Sequence, residues 1–199
     1  MSTLLPRADA APVRPARGPY GHSASLGMAL FVFTEVMLFA GFISAFVIAR
    51  DSTPPGLWPP ADQPRLPVER TAVNTAALLL SGVALFVAGR AWRRADAKAT
   101  RGWMGAALAL GALFVAGQGI EWVGLLRQGL TLTSSQLGSY FYLIVGAHAA
   151  HAVVALLVMA ASWNAQRADR LTASRLGAVE MFWYFVVLAW PLIYWQVYR

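Results

Sequence analysis

Glu35, His148 and His151 lie well inside apolar runs, where an ionisable side chain is costly unless it is neutral, paired or wetted. A carboxyl and an imidazole brought together there can share a proton. His148 and His151 are three residues apart in GAHAAHAVV, so on a helix they share a face, and this spacing can also put two imidazoles on one metal ion. A metal would need more ligands. The remaining histidine, His22, precedes the apolar runs, so a metal shell would have to recruit Glu35 or Glu121. Three arrangements stay open: a two-histidine metal site, a network in which one histidine bonds Glu35, Glu121 or a lipid headgroup, and neutral histidines resting on nearby carbonyls. For Glu35 alone, the equivalent is a protonated acid bonded to the next helix. The buried polar network of Glu35, His148 and His151 is the reading adopted, with no metal and no catalytic residue assigned.

The elements that position these groups are long apolar segments. Leu26 to Ala49 holds 24 residues with Glu35 near the middle. At ~1.5 Å per residue it measures ~36 Å, enough to cross a ~30 Å hydrocarbon core with some tilt. Further apolar stretches run over about 71–91, 102–126, 137–163 and 176–198. With 58% hydrophobic and 13% charged residues in 199, the chain reads as an all-α, polytopic membrane protein. Its domains are a basic, extended or disordered arm over 1–23 and one five-helix bundle over 24–199.

The net charge of +7 does not indicate nucleic acid, because the basic residues fall in short breaks between apolar spans. They act as topology signals. With the N-terminus inside, inner segments hold eleven Lys and Arg and outer segments hold five, which predicts a cytoplasmic N-terminus and an outward C-terminus. The chain has no Cys, so disulfides and thiolate metal sites are excluded. No apolar core precedes Leu26, so no cleavable signal peptide is expected.

Between the first two spans, STPPGLWPPADQPRLP carries six prolines and a glycine, which predicts a non-helical loop with Trp58 at the interface. Gln118 and Glu121 fall towards the far end of the third span, near the headgroups, and with Trp58 they are the lipid or interface candidates. Glu180 begins the last span as a solvated end or a partner for an arginine of the preceding loop. The run MFWYFVVLAWPLIYWQVYR is rich in aromatics, and Phe182, Trp183 and Trp190 are read as packing or subunit contacts. Pro191 should kink this helix. Small residues such as Gly82, Gly105, Gly111 and Gly117 should let helices approach closely. No phosphate loop, nucleophile-base pair or cofactor fingerprint occurs, and no internal repeat supports an inverted-repeat transporter.

In order along the chain, these residues resemble subunit III of the haem-copper terminal oxidases. Gly27-Met28, Phe33-Thr34-Glu35-Val36 and Phe39-Ala40-Gly41-Phe42 are similar to the family's GM…SEV…F.GF helix, and Trp58-Pro59-Pro60 to its WPP loop. Asn74-Thr75, Leu79 and Ser81-Gly82-Val83 resemble NT..LL.SGV. Gln118 to Trp122 resembles Q..EY; Gly146, His148 and His151 resemble GFHGLH; Phe182-Trp183 and Trp190 fit the last helix. Two departures stand out. Many members have seven helices and this chain matches the last five, so a lipid-filled cleft built with the missing pair is not implied. The family's WHFVD reads Trp183-Tyr184-Phe185-Val186-Val187, without the His and Asp, so roles of those two side chains do not carry over.

The resemblance implies a non-catalytic accessory subunit of a proton-translocating oxidase that reduces oxygen to water in a bacterial inner membrane. It implies packing on subunit I, with subunit II and other oxidase subunits as further partners, binding of phospholipids, and support of proton uptake and stability. Haem and copper are expected in the partners and none on this chain, since the oxygen-reducing subunit needs six histidines and this chain has two within its spans. The electron donor is left open between cytochrome c, quinol and an attached quinol-oxidising complex. Two alternatives remain: an accessory subunit of a nitric oxide reductase, and an autonomous proton or solute carrier using Glu35 and the histidines as a relay.

Overall fold

The computed structural model describes residues 20–54, 57–60 and 63–198, with no side chains described for residues 20–24. Five helices and no strand occur among them: α1 (Tyr20–Asp51), α2 (Val68–Arg93), α3 (Ala97–Arg127), α4 (Gln136–Arg167) and α5 (Ala173–Tyr198). All five are long and apolar enough to cross a membrane. Residues 20–23 of the expected arm, with the His22 backbone, belong to α1; the rest of the arm and the His22 side chain lie outside the described residues. The helices overrun the apolar spans, because polar first and last turns keep their backbone bonds outside the hydrocarbon. The 32 residues of α1 and of α4 measure ~48 Å each.

The ends are set locally. Asp96 caps α3 by accepting from the Ala99 N–H at 2.9 Å, and Ser135 caps α4 by accepting from the Gly138 N–H at 3.0 Å. Three C-terminal ends reverse through a left-handed residue: Ala95 after α2, Gly129 after α3 and Asp169 after α4. In each, the next N–H reaches back to close the end, from Asp96 to the Ala91 carbonyl, Leu130 to Leu125 and Arg170 to Ala165. Only one of the three uses glycine. The proline-rich segment between α1 and α2 is non-helical where described.

Helix α5 packs against α1, α2 and α4, and α4 against α1, α3 and α5, while α2 and α3 form the most extensive pair and α1 touches only α5 and α4. In lipid there is little hydrophobic gain in bringing apolar helices together, so close packing and polar stitches must hold them. Both are present. Two α5 indoles donate to α2 hydroxyls, Trp183 Nε1 to Ser81 Oγ at 3.1 Å and Trp190 Nε1 to Thr75 Oγ1 at 2.8 Å. Asn74 donates to the Phe114 carbonyl at 2.9 Å, tying α2 to α3, and Tyr194 donates to the Val68 carbonyl at 3.1 Å. Gly111 gives α3 room for the Trp183 ring, and Gly117 gives it room for Asn74.

Phe182, Trp183 and Trp190, read from the sequence as packing or subunit contacts, are buried within the bundle. Exposed apolar side chains of α5 are Leu188, Leu192 and Trp195. Glu180 is also placed differently. Its carboxyl packs against Gly89 of α2, with Arg93 of the same helix as the neighbouring charge, and not against the preceding loop. Pro191 is accommodated inside a continuous α5.

Candidate functional site

The α1–α4 contact brings Glu35 to His151, with Oε2 3.0 Å from Nε2. The oxygen lies off the ring N–H axis, so this is a close polar contact and not an aligned hydrogen bond. The other ring nitrogen is fixed: His151 Nδ1 lies 2.7 Å from the Ala147 carbonyl one turn earlier, which can only accept, so Nδ1 carries a proton. Nε2 then faces the carboxyl with either a lone pair or a second proton. The contact sets a carboxyl and an imidazole side by side in a low-dielectric site, where each lowers the cost of burying the other. Aromatic rings enclose it, with Phe39, Phe185 and Phe182 centred 5.6, 5.9 and 6.3 Å from the imidazole.

His148 does not join this pair. It is fully buried, tilted against Trp190 with ring centroids 5.0 Å apart, and neither of its nitrogens has a hydrogen-bond partner. The expected three-member network thus has two members in direct contact. Among the described residues no three His, Cys, Asp or Glu side chains converge as a metal shell would require.

A second polar cluster ties α2, α3 and α5 together near the α3 C-terminus. Glu121 Oε2 lies 2.7 Å from Thr71 Oγ1 and 3.1 Å from Gln118 Nε2, and the Tyr198 hydroxyl lies 3.4 Å from Gln118 Oε1. Glu121 and Gln118 thus pair with each other, and Thr71 and Tyr198 complete a set that the sequence reading missed. Thr71→Val is expected to cost about 1 kcal/mol of bundle stability by removing one interhelical bond to Glu121; denaturant titration of the variant in micelles checks it. Trp58 is half-buried, its ring edge on Phe46 at 5.7 Å, above a hollow of about 340 Å³ that also meets Arg50, Arg65 and Tyr198. Between α1 and α5 lies an apolar groove of about 450 Å³, lined by Val32, Phe39, Ile43, Tyr184, Leu188 and Leu192 among others.

The chain as a whole is similar to a known group of proteins. The family model described as Cytochrome c oxidase subunit III matches residues 20–199, which takes in all five helices and both polar clusters. The chain is 30% identical over 189 residues to a cytochrome c oxidase subunit 3 of Synechocystis, covering 92% of this chain and 79% of that one. It is 30% identical over 180 residues to a probable cytochrome c oxidase subunit 3 of Nocardia farcinica, covering 87% and 86%. With the pig cytochrome c oxidase subunit 3 it shares 29% identity over 179 residues, 86% of this chain and 67% of that one. A match that spans the whole bundle, with the Glu35–His151 contact inside it, places this chain in the cytochrome c oxidase subunit III family.

Proposed function

We propose that this chain is a non-redox accessory subunit of a proton-translocating haem-copper oxidase in a bacterial inner membrane, with its N-terminus in the cytoplasm. The family match across all five helices carries this reading. Subunit I is the main partner and holds, with subunit II, the haem and copper. Exposed apolar side chains on the outer helices, such as Phe33 on α1 and Leu113 on α3, supply surface for docking and for lipid. The α1–α5 groove suits an acyl chain, and Trp58, Gln118 and Glu121 lie towards the lipid interface. Within this role the Glu35–His151 pair organises the bundle interior and so supports proton uptake and lasting activity of its neighbour.

Purification of the native assembly tests the reading. Haem and copper spectra should accompany the partners and vanish when this polypeptide is isolated; oxygen consumption by the isolated chain, or a stoichiometric transition metal on it, would overturn the proposal. Glu35→Gln gives a second test. The amide can donate to the His151 lone pair and keeps the site neutral, so initial oxidase turnover should stay within about twofold, a barrier change under ~0.5 kcal/mol. Immediate loss of turnover with normal assembly is the result that contradicts an accessory role.

A further inference from the structure

The α2–α3 turn at 94–96 and the α4–α5 turn at 168–172 lie together at one end of the bundle and enclose a hollow of about 280 Å³. Trp92 and Leu171 give it apolar walls, and Asp96, Asp169 and Gln166 line it with acceptors. One Asp96 oxygen caps α3. Asp169 forms no ion pair among the described residues, although Arg93, Arg94, Lys98, Arg101, Arg167 and Arg170 flank the two turns. Gln166 carries the sharper signal. It is 2% exposed, and its carboxamide has no hydrogen-bond partner among the described residues. A buried amide without a partner is costly, so this set suits a cationic group with several N–H donors. The negative ends of the α2 and α4 dipoles reach the same place.

This chain holds such a group within reach. Residues 1–19, outside the described residues, contain Arg7, Arg14 and Arg17 against one acid, Asp9. They join the bundle at Tyr20, the first residue of α1. Helices α1 and α5 run in the same direction, with Phe31 on Phe182 at 5.5 Å and Phe39 on Phe185 at 5.9 Å. Tyr20 and Leu171 precede Phe31 and Phe182 by the same number of residues, so the start of α1 stands about level with a wall of the hollow. At no more than ~3.6 Å per residue, Arg14 can lie up to ~20 Å from Tyr20 and Arg7 up to ~45 Å, whereas packed helices are only ~8–10 Å apart. Tethering gives the arm an effective concentration on the order of millimolar at the hollow, and the flanking cations are screened beyond ~8 Å at physiological salt. A cation on a separate protein lacks that advantage.

We propose that residues 7–17 dock over this hollow, with an arginine guanidinium donating to Asp169, to the second Asp96 oxygen and to the Gln166 carboxamide oxygen. The planar guanidinium fork suits a divided set of acceptors better than a lysine ammonium does. The arm then straps α1, which touches only α4 and α5, to the α2–α3 pair. The inference rests on charge and on which helix ends coincide, and not on the identity of the partner subunits.

The chain has no Cys, so an introduced cysteine pair reports the contact without background. In the full chain within its native assembly, Ala16→Cys on the arm combined with Ala97→Cys on the rim of the hollow should cross-link under mild oxidation or with a short bismaleimide. Ala16→Cys combined with Gln128→Cys, at the opposite end of α3, should not. Adding Asp96→Asn and Asp169→Asn should slow the first cross-link about tenfold or more, the effect of losing one charge-assisted hydrogen bond. Asparagine keeps the α3 cap and tolerates the left-handed backbone at residue 169, so the fold should persist in this variant. No cross-link to the cysteine at position 97, or one whose rate is unchanged when both carboxylates are removed, overturns the proposal. So does a map of the native assembly in which a partner subunit's side chain fills the hollow.

Discussion

Trp183→Ala is expected to lower the stability of the bundle by about 3–5 kcal/mol, the range for deleting a large buried aromatic side chain. The ring is fully buried where three helices meet: it grows from α5, packs against Gly111 of α3 and donates to Ser81 of α2. The loss is chiefly one of packing. Ser81 keeps its own bond to the Leu78 carbonyl at 2.6 Å, so removing the indole leaves no orphaned hydroxyl. An interhelical hydrogen bond in lipid is worth roughly 0.6 kcal/mol, a small share of the total. Trp183→Phe, which keeps a ring and loses the donor, should therefore cost much less than the alanine variant. Denaturant titration of both variants in micelles gives the comparison; equal losses would mean that the hydrogen bond, and not the packed ring, holds this junction.

That Glu35 needs a polar partner was legible from the sequence, because a carboxyl mid-span has few low-cost states; which histidine meets it was left open. The position of His148 was not legible. At about 100° per residue, positions three apart are offset by about 60°, so both rings meet Phe39 but only His151 reaches Glu35. The His148 ring stacks on Trp190 of α5 instead.

The cluster around Glu121 shows a signal that the sequence holds and that went unused. On α2, Thr71, Asn74, Thr75 and Ser81 recur at helical spacing within an apolar span, forming a polar stripe. In lipid such a stripe has to face protein, and each of its members bonds another helix: Thr71 to Glu121, Asn74 to Phe114, Thr75 to Trp190 and Ser81 to Trp183. Which helix faces the stripe is not encoded locally. The same limit explains why the α5 aromatics could be read only as packing or subunit contacts. Apolar content says that a side chain avoids water, but in a membrane it does not separate the bundle interior from a subunit interface. Only the central position of α5 among α1, α2 and α4 does so.

Gly111→Val tests that junction from the opposite side. A β-carbon on Gly111 would stand 2.7 Å from the Trp183 ring and 2.8 Å from a Leu156 methyl, nearer than such carbons come in folded proteins. Trp183 cannot retreat cheaply, since it is fully buried and bonded to Ser81, whereas the partly buried Leu156 side chain can shift its methyl. The branched methyls of valine add further volume, so overpacking should cost about 1–3 kcal/mol or more. Gly102→Val on the same helix is the control, since a β-carbon there meets nothing within 4 Å; it should be close to neutral, because replacing a helical glycine gains back part of ~1 kcal/mol. Combining Gly111→Val with Trp183→Leu should recover part of the loss, as the smaller side chain vacates the space that valine needs. A double variant whose loss equals or exceeds the sum of the singles would show that the two residues do not share that space.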